Sequence, residues 1–445
     1  MPDLNDQFFV RSLRDGLILR RSTPADSEKL FHFNALIHGQ DAPDERVGQW
    51  ARDLLEKPHP TFGVNDFTIV EQPSTGRIVS SSNMISQTWL YEGIPFGVGR
   101  PELVGTLPEF RKRGLVRVQF EEIHRWSAER AELVQAISGI PNYYRQFGYE
   151  MCVDLAGSRS GYEPNLPRLP EGTSEPYRLR LASEPDIPFL STVYSQAAKR
   201  SLIYAVRDQA LWNLELSGRS QNNITRLVWN IIERVSDGEP VGFLAHPWFA
   251  DGTSFSASMF ELKAGISWLD VSPSIARQLW ELGKITCQRE GRLCSEFTFA
   301  LSGSHPVYQV LGNHLPRIRE PYAWYLRIPD LQAFLRRIAP VLEERLSASL
   351  IPGHTAELKL NFYSSGLRLV FSNGKLTTID SWQPDTSSLG DIAFPNQTFL
   401  QLIFGYRSLD EIKFSYTDCR CDRDEDALLI SSLFPRKSSQ FLGIL

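Results

Sequence analysis

Three cationic side chains stand directly before a glycine at the start of an apolar helical pattern. They are Arg111, Lys112 and Arg113, followed by Gly114, and Arg117 adds a fourth cation in the next turn. The start of a helix leaves its first backbone N–H groups unpaired and carries partial positive charge, so it attracts anions. Cations at this end oppose the helix dipole unless an anion is bound. The segment therefore favours a site for a pyrophosphate or a similar group, with a solvated basic turn as the alternative.

A tyrosine at a defined distance from a glycine forms the second notable segment. The stretch SGIPNYYRQFGYE places Tyr144 four residues before Gly148. An ordinary half-buried aromatic residue is the alternative to a chemical role. Tyr143, the neighbouring residue, is the nearest competitor for such a role.

Taken in this order, the two segments resemble the GCN5-related N-acetyltransferase family. The family fingerprint is Gln or Arg, two residues, Gly, one residue, then Gly or Ala, and later a tyrosine before a Gly-aromatic pair. The matching positions are Arg111, Gly114 and Val116 for the first pattern, and Tyr144, Gly148 and Tyr149 for the second. Val116 stands where the family usually has a smaller residue.

The resemblance implies acetyl-coenzyme A as the co-substrate and no metal. The backbone of Val104, Gly105 and Thr106 would pair with the pantetheine arm. The pyrophosphate would be wrapped by seven consecutive residues, Arg111, Lys112, Arg113, Gly114, Leu115, Val116 and Arg117. Tyr144 would lie at the sulfur and protonate the departing thiolate, which suits a hydroxyl with an ordinary pKa of about 10.

The elements that must position these residues follow from the hydrophobic pattern. The first 160 residues indicate a strand, a helix, three further strands, a helix and a fifth strand, which is typical of a mixed sheet with helices on its faces. The stretch QDAPDERVGQ after the first helix is predicted to be a charged loop. Its residues Asp41, Asp44 and Glu45, with Asp26, either attract a cationic acceptor or are simply solvated.

The middle of the chain repeats the beginning. YRLRLASEPDIPFLSTVYSQA follows the same pattern as LILRRSTPADSEKLFHFNAL, which indicates an internal duplication. Tyr308 precedes Gly312 by four residues, as Tyr144 precedes Gly148. The second copy lacks the basic triplet, and Asp270 at its helix start would repel a phosphate. The second copy is therefore predicted to be structural or to form part of the acceptor pocket.

The last third, from about Asp330, changes pattern again. An amphipathic helix with Leu331, Phe334 and Leu335 on its inner face precedes alternating strands that turn at Asn373-Gly374. This block resembles the sterol carrier protein 2 (SCP2) fold. We therefore predict an α+β protein with a catalytic acetyltransferase-like domain (1–160), a degenerate second copy (161–329) and an SCP2-like helix-plus-antiparallel-sheet domain (330–445).

This domain order is similar to that of the enhanced intracellular survival (Eis) type of N-acetyltransferase. The resemblance implies an acyltransferase of the EC 2.3.1 type that acetylates a primary amine of a small polycationic molecule or of a lysine side chain. It also implies a homo-oligomer, with a hexamer as one assembly, and a general base formed by the chain's own terminal carboxylate, here on Leu445. A noncatalytic carrier or scaffold whose last domain binds an apolar molecule is the alternative function.

Composition restricts the remaining classes of function. The 445 residues fit two to four domains, and the formal charge of −5 provides no overall basic field for nucleic acid or anionic lipid. The five cysteines form no disulfide framework, and Cys419 and Cys421 lack a second pair for a zinc site. Without an apolar run of about 18 residues, the sequence predicts a soluble cytoplasmic protein that has no membrane span.

Overall fold

The computed structural model describes residues 10–301, 303–385, 389–439 and 443. The first unit begins with a five-stranded antiparallel sheet that β6 extends in parallel to β5. In chain order its elements are β1 (Val10–Ser12), β2 (Ile18–Arg21), α1 (Ser27–His38), α2 (Glu45–Glu56), β3 (Phe67–Gln72), β4 (Arg77–Tyr91), β5 (Ile94–Thr106), α3 (Leu115–Glu129), β6 (Val134–Ile137) and β7 (Glu150–Leu155).

Helix α2 lies where the sequence analysis predicted a charged loop, and that prediction was wrong for its second half. The Asp44 side chain caps the helix by accepting the Arg46 backbone N–H at 3.0 Å. Buried Val47, Trp50 and Leu54 then follow one another at helical spacing. The apolar stripe continues past the charged residues, so α2 packs against α1 and the core of this unit.

The second unit repeats the order of the first. Strand β8 (Ser158–Gly161) ends the first unit, and the elements of the second are β9 (Tyr177–Leu181), α4 (Ile187–Ala198), β10 (Ile203–Ala205), α5 (Gln209–Asn213), β11 (Leu227–Arg234), β12 (Pro240–Pro247), β13 (Ser254–Ala257), β14 (Met259–Leu262), α6 (Trp268–Arg289), β15 (Glu296–Phe299), α7 (Pro306–Leu311), β16 (Arg317–Arg319) and β17 (Tyr322–Arg327).

One polar network occurs in both units and supports the predicted duplication. Arg20 donates to both carboxylate oxygens of Asp26, and Arg180 does the same to Asp186. Both aspartates also accept the backbone N–H three residues before them, which fixes the turn between a strand and its helix. Asp26 is therefore a buried structural residue.

Each unit places its last strand in the sheet of the other, and β10 of the second unit also pairs antiparallel with β4. Strand β17 ends the second unit in sequence but lies between β6 and β7 of the first sheet, antiparallel to both. Strand β8 ends the first unit but lies between β15 and β16, antiparallel to both. Each sheet is thus completed by backbone hydrogen bonds to a strand of the other unit.

The C-terminal unit packs helices on a five-stranded sheet. Its elements are α8 (Leu331–Ser347), β18 (Ala356–Asn361), β19 (Gly366–Ser372), β20 (Lys375–Trp382), β21 (Ile392–Ala393), α9 (Thr398–Ile403), α10 (Leu409–Ser415), β22 (Arg420–Cys421) and α11 (Asp424–Leu433). Strands β18 to β20 are antiparallel and turn at Asn373 and Gly374 as predicted, whereas β21 runs parallel to β18.

Helix α8 joins this unit to the first one. Its buried Phe334 packs edge-to-face with Phe96 of β5, and Trp89 of β4 belongs to the same apolar cluster. Trp89 and Phe96 are therefore core residues. The α+β class is confirmed by these elements, and none of the helices in the described ranges is both long and apolar enough to cross a bilayer.

Candidate active site

A cleft opens where β5 and β6 separate. The two strands pair in parallel only at Val98–Val134 and Gly99–Gln135. Further along β5, Leu103 and Val104 lie opposite a single residue of β4, and Leu103 has a left-handed φ of 50°. Such a bulge bends its strand. The resulting cleft has a volume of about 890 Å³, within the range of small-molecule sites.

Most of the residues predicted to hold the co-substrate line this cleft. They are Val104, Gly105, Thr106, Arg111, Lys112, Gly114, Leu115, Val116 and Arg117. Arg113 does not line it, because its guanidinium pairs with Asp15 at 3.2 Å and lies over the Phe110 ring. Leu445, predicted as the base, lies outside the described residues.

The basic turn presents backbone N–H groups at the start of α3. Lys112 and Gly114 both have left-handed backbones, with φ of 61° and 77°, and alternation of this kind forms an anion-binding concavity. Gly114 is the N-cap and provides no capping side chain, so the first N–H groups of the helix are left for another acceptor. These residues fit a pyrophosphate.

The corresponding position in the second unit is closed. Ser267 caps α6 by accepting the Asp270 backbone N–H at 3.2 Å, and Asp270 adds a negative charge there. Beyond the end of β15, the His305 Nε2 lies 2.9 Å from the Phe260 carbonyl oxygen.

Tyr144 lies in the wall of the cleft, with only 4% of its surface exposed. It stacks on Phe120 at 5.9 Å between ring centroids. Gly139 beneath the ring has a φ of 134°, and a Cβ there would lie 3.4 Å from the Tyr144 hydroxyl. Burial raises the pKa of Tyr144 well above its usual value, so the hydroxyl keeps its proton near neutral pH. Tyr143 lines the same cleft but is more exposed.

The exchanged strand β17 supports the Tyr144 segment. The Tyr325 ring packs edge-to-face on Tyr144 at 5.5 Å, and the Tyr325 hydroxyl accepts the Asn142 backbone N–H at 2.6 Å. Sequence reasoning missed Tyr325 because it is far from Tyr144 along the chain and belongs to no motif.

Tyr308 has the same spacing as Tyr144 but a different environment. Its hydroxyl donates to the Phe299 carbonyl at 2.6 Å and accepts the Leu301 backbone N–H at 3.1 Å. The Tyr308 hydroxyl is therefore used to hold the backbone of its own unit.

Two titratable groups that the sequence analysis did not select also line the cleft, Glu102 and His38. Glu102 forms an ion pair with buried Arg100, and burial raises the pKa of the Glu102 carboxyl. Burial lowers the pKa of His38, partly offset by a hydrogen bond to the Leu103 backbone. A Cβ built on Gly443 would lie 2.5 Å from Arg100 Nη1, so the chain at Gly443 runs beside this pair.

Comparison with known proteins agrees with this geometry. Residues 19–152 match the family model of the acetyltransferase (GNAT) domain. No curated protein sequence matches the chain. Within the described ranges, no group of three or more His, Cys, Asp or Glu side chains is arranged to hold a metal ion.

Solved structures resemble the whole chain. A probable N-acyltransferase from Enterococcus faecalis V583 has 14% identity and a TM-score of 0.65, over 94% of this chain and 96% of that one. A GCN5-related N-acetyltransferase from Kribbella flavida has 17% identity and a TM-score of 0.63, over 96% and 100%. Eis1 from Mycobacterium abscessus has 14% identity and a TM-score of 0.58, over 95% and 97%. The fold is therefore that of GNAT acetyltransferases.

Proposed function

We propose that the protein is an N-acetyltransferase that transfers an acetyl group from acetyl-coenzyme A to a primary amine. One contrast carries the proposal. The first unit combines an uncapped, cationic helix start with a buried, protonated tyrosine in a single cleft, whereas the second unit has a capped helix start and a tyrosine bound to its own backbone. Such a difference is expected if only the first site reacts.

The residues around the cleft have complementary tasks. When bound, acetyl-coenzyme A supplies the thioester that the amine attacks. The α3 N-terminus with Arg111, Lys112 and Arg117 would hold its phosphates, and the backbone from Val104 to Thr106 would lie along its pantetheine arm. Tyr144 would donate its proton to the departing thiolate. Burial raises the pKa of Tyr144, so the hydroxyl carries the proton that this step needs near neutral pH.

The amine must also lose a proton, and we propose that the terminal carboxylate of Leu445 accepts it. The position of Gly443 supports this assignment, because Gly443 lies beside Arg100, whose partner Glu102 lines the cleft. Adding several glycines after Leu445 should then lower kcat by about tenfold or more without changing the affinity for coenzyme A. An unchanged kcat in the extended protein would exclude this base.

Two finer features rest on the resemblance of the sequence. We propose that the C-terminal unit is SCP2-like, which is supported by α8 packed on the antiparallel strands β18 to β20. We also propose a hexamer, for which light scattering should give about six times the chain mass of 50.6 kDa. A monomeric mass would contradict the hexamer but not the activity.

Thiol release from acetyl-coenzyme A tests the proposed activity. The acceptor panel should contain lysine peptides, polyamines, aminoglycosides and simple monoamines. Release above the rate of hydrolysis with any acceptor supports the enzyme. Tight binding of the cofactor without release would instead favour a noncatalytic carrier or scaffold.

A further inference from the structure

We propose that the acceptor carries a single amino group on an apolar body, as in an arylalkylamine or alkylamine, and is not a polycation. This inference rests on the proposed function, since it concerns the acceptor of the same cleft. Three observations carry it: the apolar wall of the cleft, the shortage of carboxylates among its described residues, and the positions of the nearby acids.

The wall is contributed by elements other than the cationic turn. Ile37 lies in the last turn of α1, Val47 and Trp50 lie on α2, Leu103 lies in the bulge of β5, and Ile224 precedes β11. All five side chains line the cleft and none carries a charge. Burial of a ring or alkyl chain against them is favourable, at about 25 cal/mol per Å² of apolar surface.

Carboxylates are nearly absent from this lining. Among the described residues of the cleft, Glu102 alone is acidic, and Arg100 already pairs with it. His38, the other titratable side chain at this end, has its pKa lowered by burial and is therefore neutral. The proposed terminal carboxylate would serve the one ammonium group that reacts. A second or third ammonium group would therefore lose its hydration without gaining a partner, which is costly.

The acidic residues that the sequence suggested as partners of a cationic acceptor either have structural roles or lie outside the lining of the cleft. Asp26 is buried and bound by Arg20, and Asp44 caps α2 and pairs with Arg46 at 2.7 Å. Asp41 and Glu45 are exposed to solvent, and neither belongs to the lining of the cleft. The first helix pair therefore presents an apolar surface to the acceptor.

One part of this wall comes from the second unit and is held firmly in place. The Asp53 carboxylate on α2 accepts the Ser220 backbone N–H at 2.7 Å and the Asn223 side-chain N–H at 2.8 Å. The Ile224 backbone N–H in turn donates to the Arg46 carbonyl at 3.2 Å. Ile224 is half-buried, so its side chain can be changed with little effect on the core.

The experiment compares 2-phenylethylamine with spermidine on the full chain. Affinity is measured by calorimetry on the protein saturated with coenzyme A, and kcat/KM by thiol release with acetyl-coenzyme A. We expect at least tenfold tighter binding and higher kcat/KM for 2-phenylethylamine. Ile224→Asp should reduce this ratio at least tenfold, whereas Ile224→Leu, the matched control, should preserve it.

The outcomes separate the two proposals. Absence of thiol release with every amine would remove the proposed function, while the affinities of the coenzyme-bound protein would still decide the acceptor class. Equal or tighter binding of spermidine overturns the inference, as does a failure of 2-phenylethylamine to bind. An acceptor affinity that falls steeply with salt would also overturn it, because that dependence indicates several charges in contact with acidic groups.

Discussion

At the scale of single residues, the cations of the basic turn have different tasks. The Arg111 Nε donates to the Thr106 carbonyl in the cleft at 3.2 Å, and Arg117 lines the same cleft. Arg113 is directed to Asp15 and to the Glu109 carbonyl. The spacing RKRG predicts three equivalent cationic ligands of the phosphates. In the structure the backbone is left-handed at Lys112 and Gly114, and Arg113 lies outside the lining of the cleft.

This difference predicts unequal effects of two like substitutions. Arg111→Ala should weaken the affinity for coenzyme A about tenfold, the lower end for loss of a charge-assisted hydrogen bond. Arg113→Ala, the control, should change it less than about threefold, because an exposed ion pair contributes about 0–1 kcal/mol. Calorimetric titration with coenzyme A measures the affinity of both variants. Equal losses of affinity would contradict the different roles assigned to Arg111 and Arg113.

The local motif predicted Tyr144 and most of the turn, because their spacing is a property of consecutive residues. Glu102, His38 and Tyr325 could not be found in this way. Each belongs to a different element, and the tertiary fold brings Glu102 and His38 to the cleft and Tyr325 against Tyr144.

At the scale of elements, β17 supports the segment that carries Tyr144. Tyr325→Phe removes the acceptor of the Asn142 N–H and leaves the ring in place. We expect kcat to fall about tenfold while the KM for acetyl-coenzyme A stays within about twofold, since this residue would act through Tyr144. A change in KM alone, measured by steady-state thiol release, would argue against a positioning role.

Asp53 links α2 to the loop before β11. Burial opposes its charged form, but the hydrogen bonds from Asn223 and Ser220 outweigh this and lower its pKa. Its contribution to stability is therefore present above the unfolded pKa of about 3.9 and is lost as the pH falls through the lower folded value.

Substitution Asp53→Asn should accordingly lower the free energy of unfolding at pH 7 by about 1–3 kcal/mol, because buried donors lose their charged acceptor. The difference between wild type and variant should shrink below about pH 4. Urea unfolding of both proteins, at pH 7 and below about pH 4, measures this difference in the free energy of unfolding. A difference that grows on acidification would contradict the account.

Most elements were predictable from hydrophobic period and turn residues, as the hairpin at Asn373-Gly374 illustrates. Helix α2 was not, because the charges in its first turn indicate a loop, although Val47, Trp50 and Leu54 lie at helical spacing. The capping role of Asp44 explains the acidic residue at its start.

At the scale of the whole molecule, the duplication is visible in the sequence but the strand exchange is not. The patterns of β8 and β17 are the same whichever sheet they join, and no local signal distinguishes the two pairings. The exchange completes both sheets and places Tyr325 of one unit against Tyr144 of the other.

Reciprocal exchange predicts that the first two units unfold together. Hydrogen exchange should give β6, β7, β15 and β16 the same global opening free energy, because removing β17 or β8 breaks both sheets. Protection lost separately in the two units, at different denaturant concentrations, would contradict this coupling.

The central claim is that only the first tyrosine of the duplicated pair reacts, and thiol release tests it most directly. With wild type, Tyr144→Phe and Tyr308→Phe assayed side by side on a productive amine, Tyr144→Phe should lower kcat by about 10² to 10⁴. Tyr308→Phe removes the same hydroxyl from the second unit and should leave kcat within about twofold. A rate for Tyr144→Phe within about twofold of wild type, or an equal loss in both variants, would contradict the proposed mechanism.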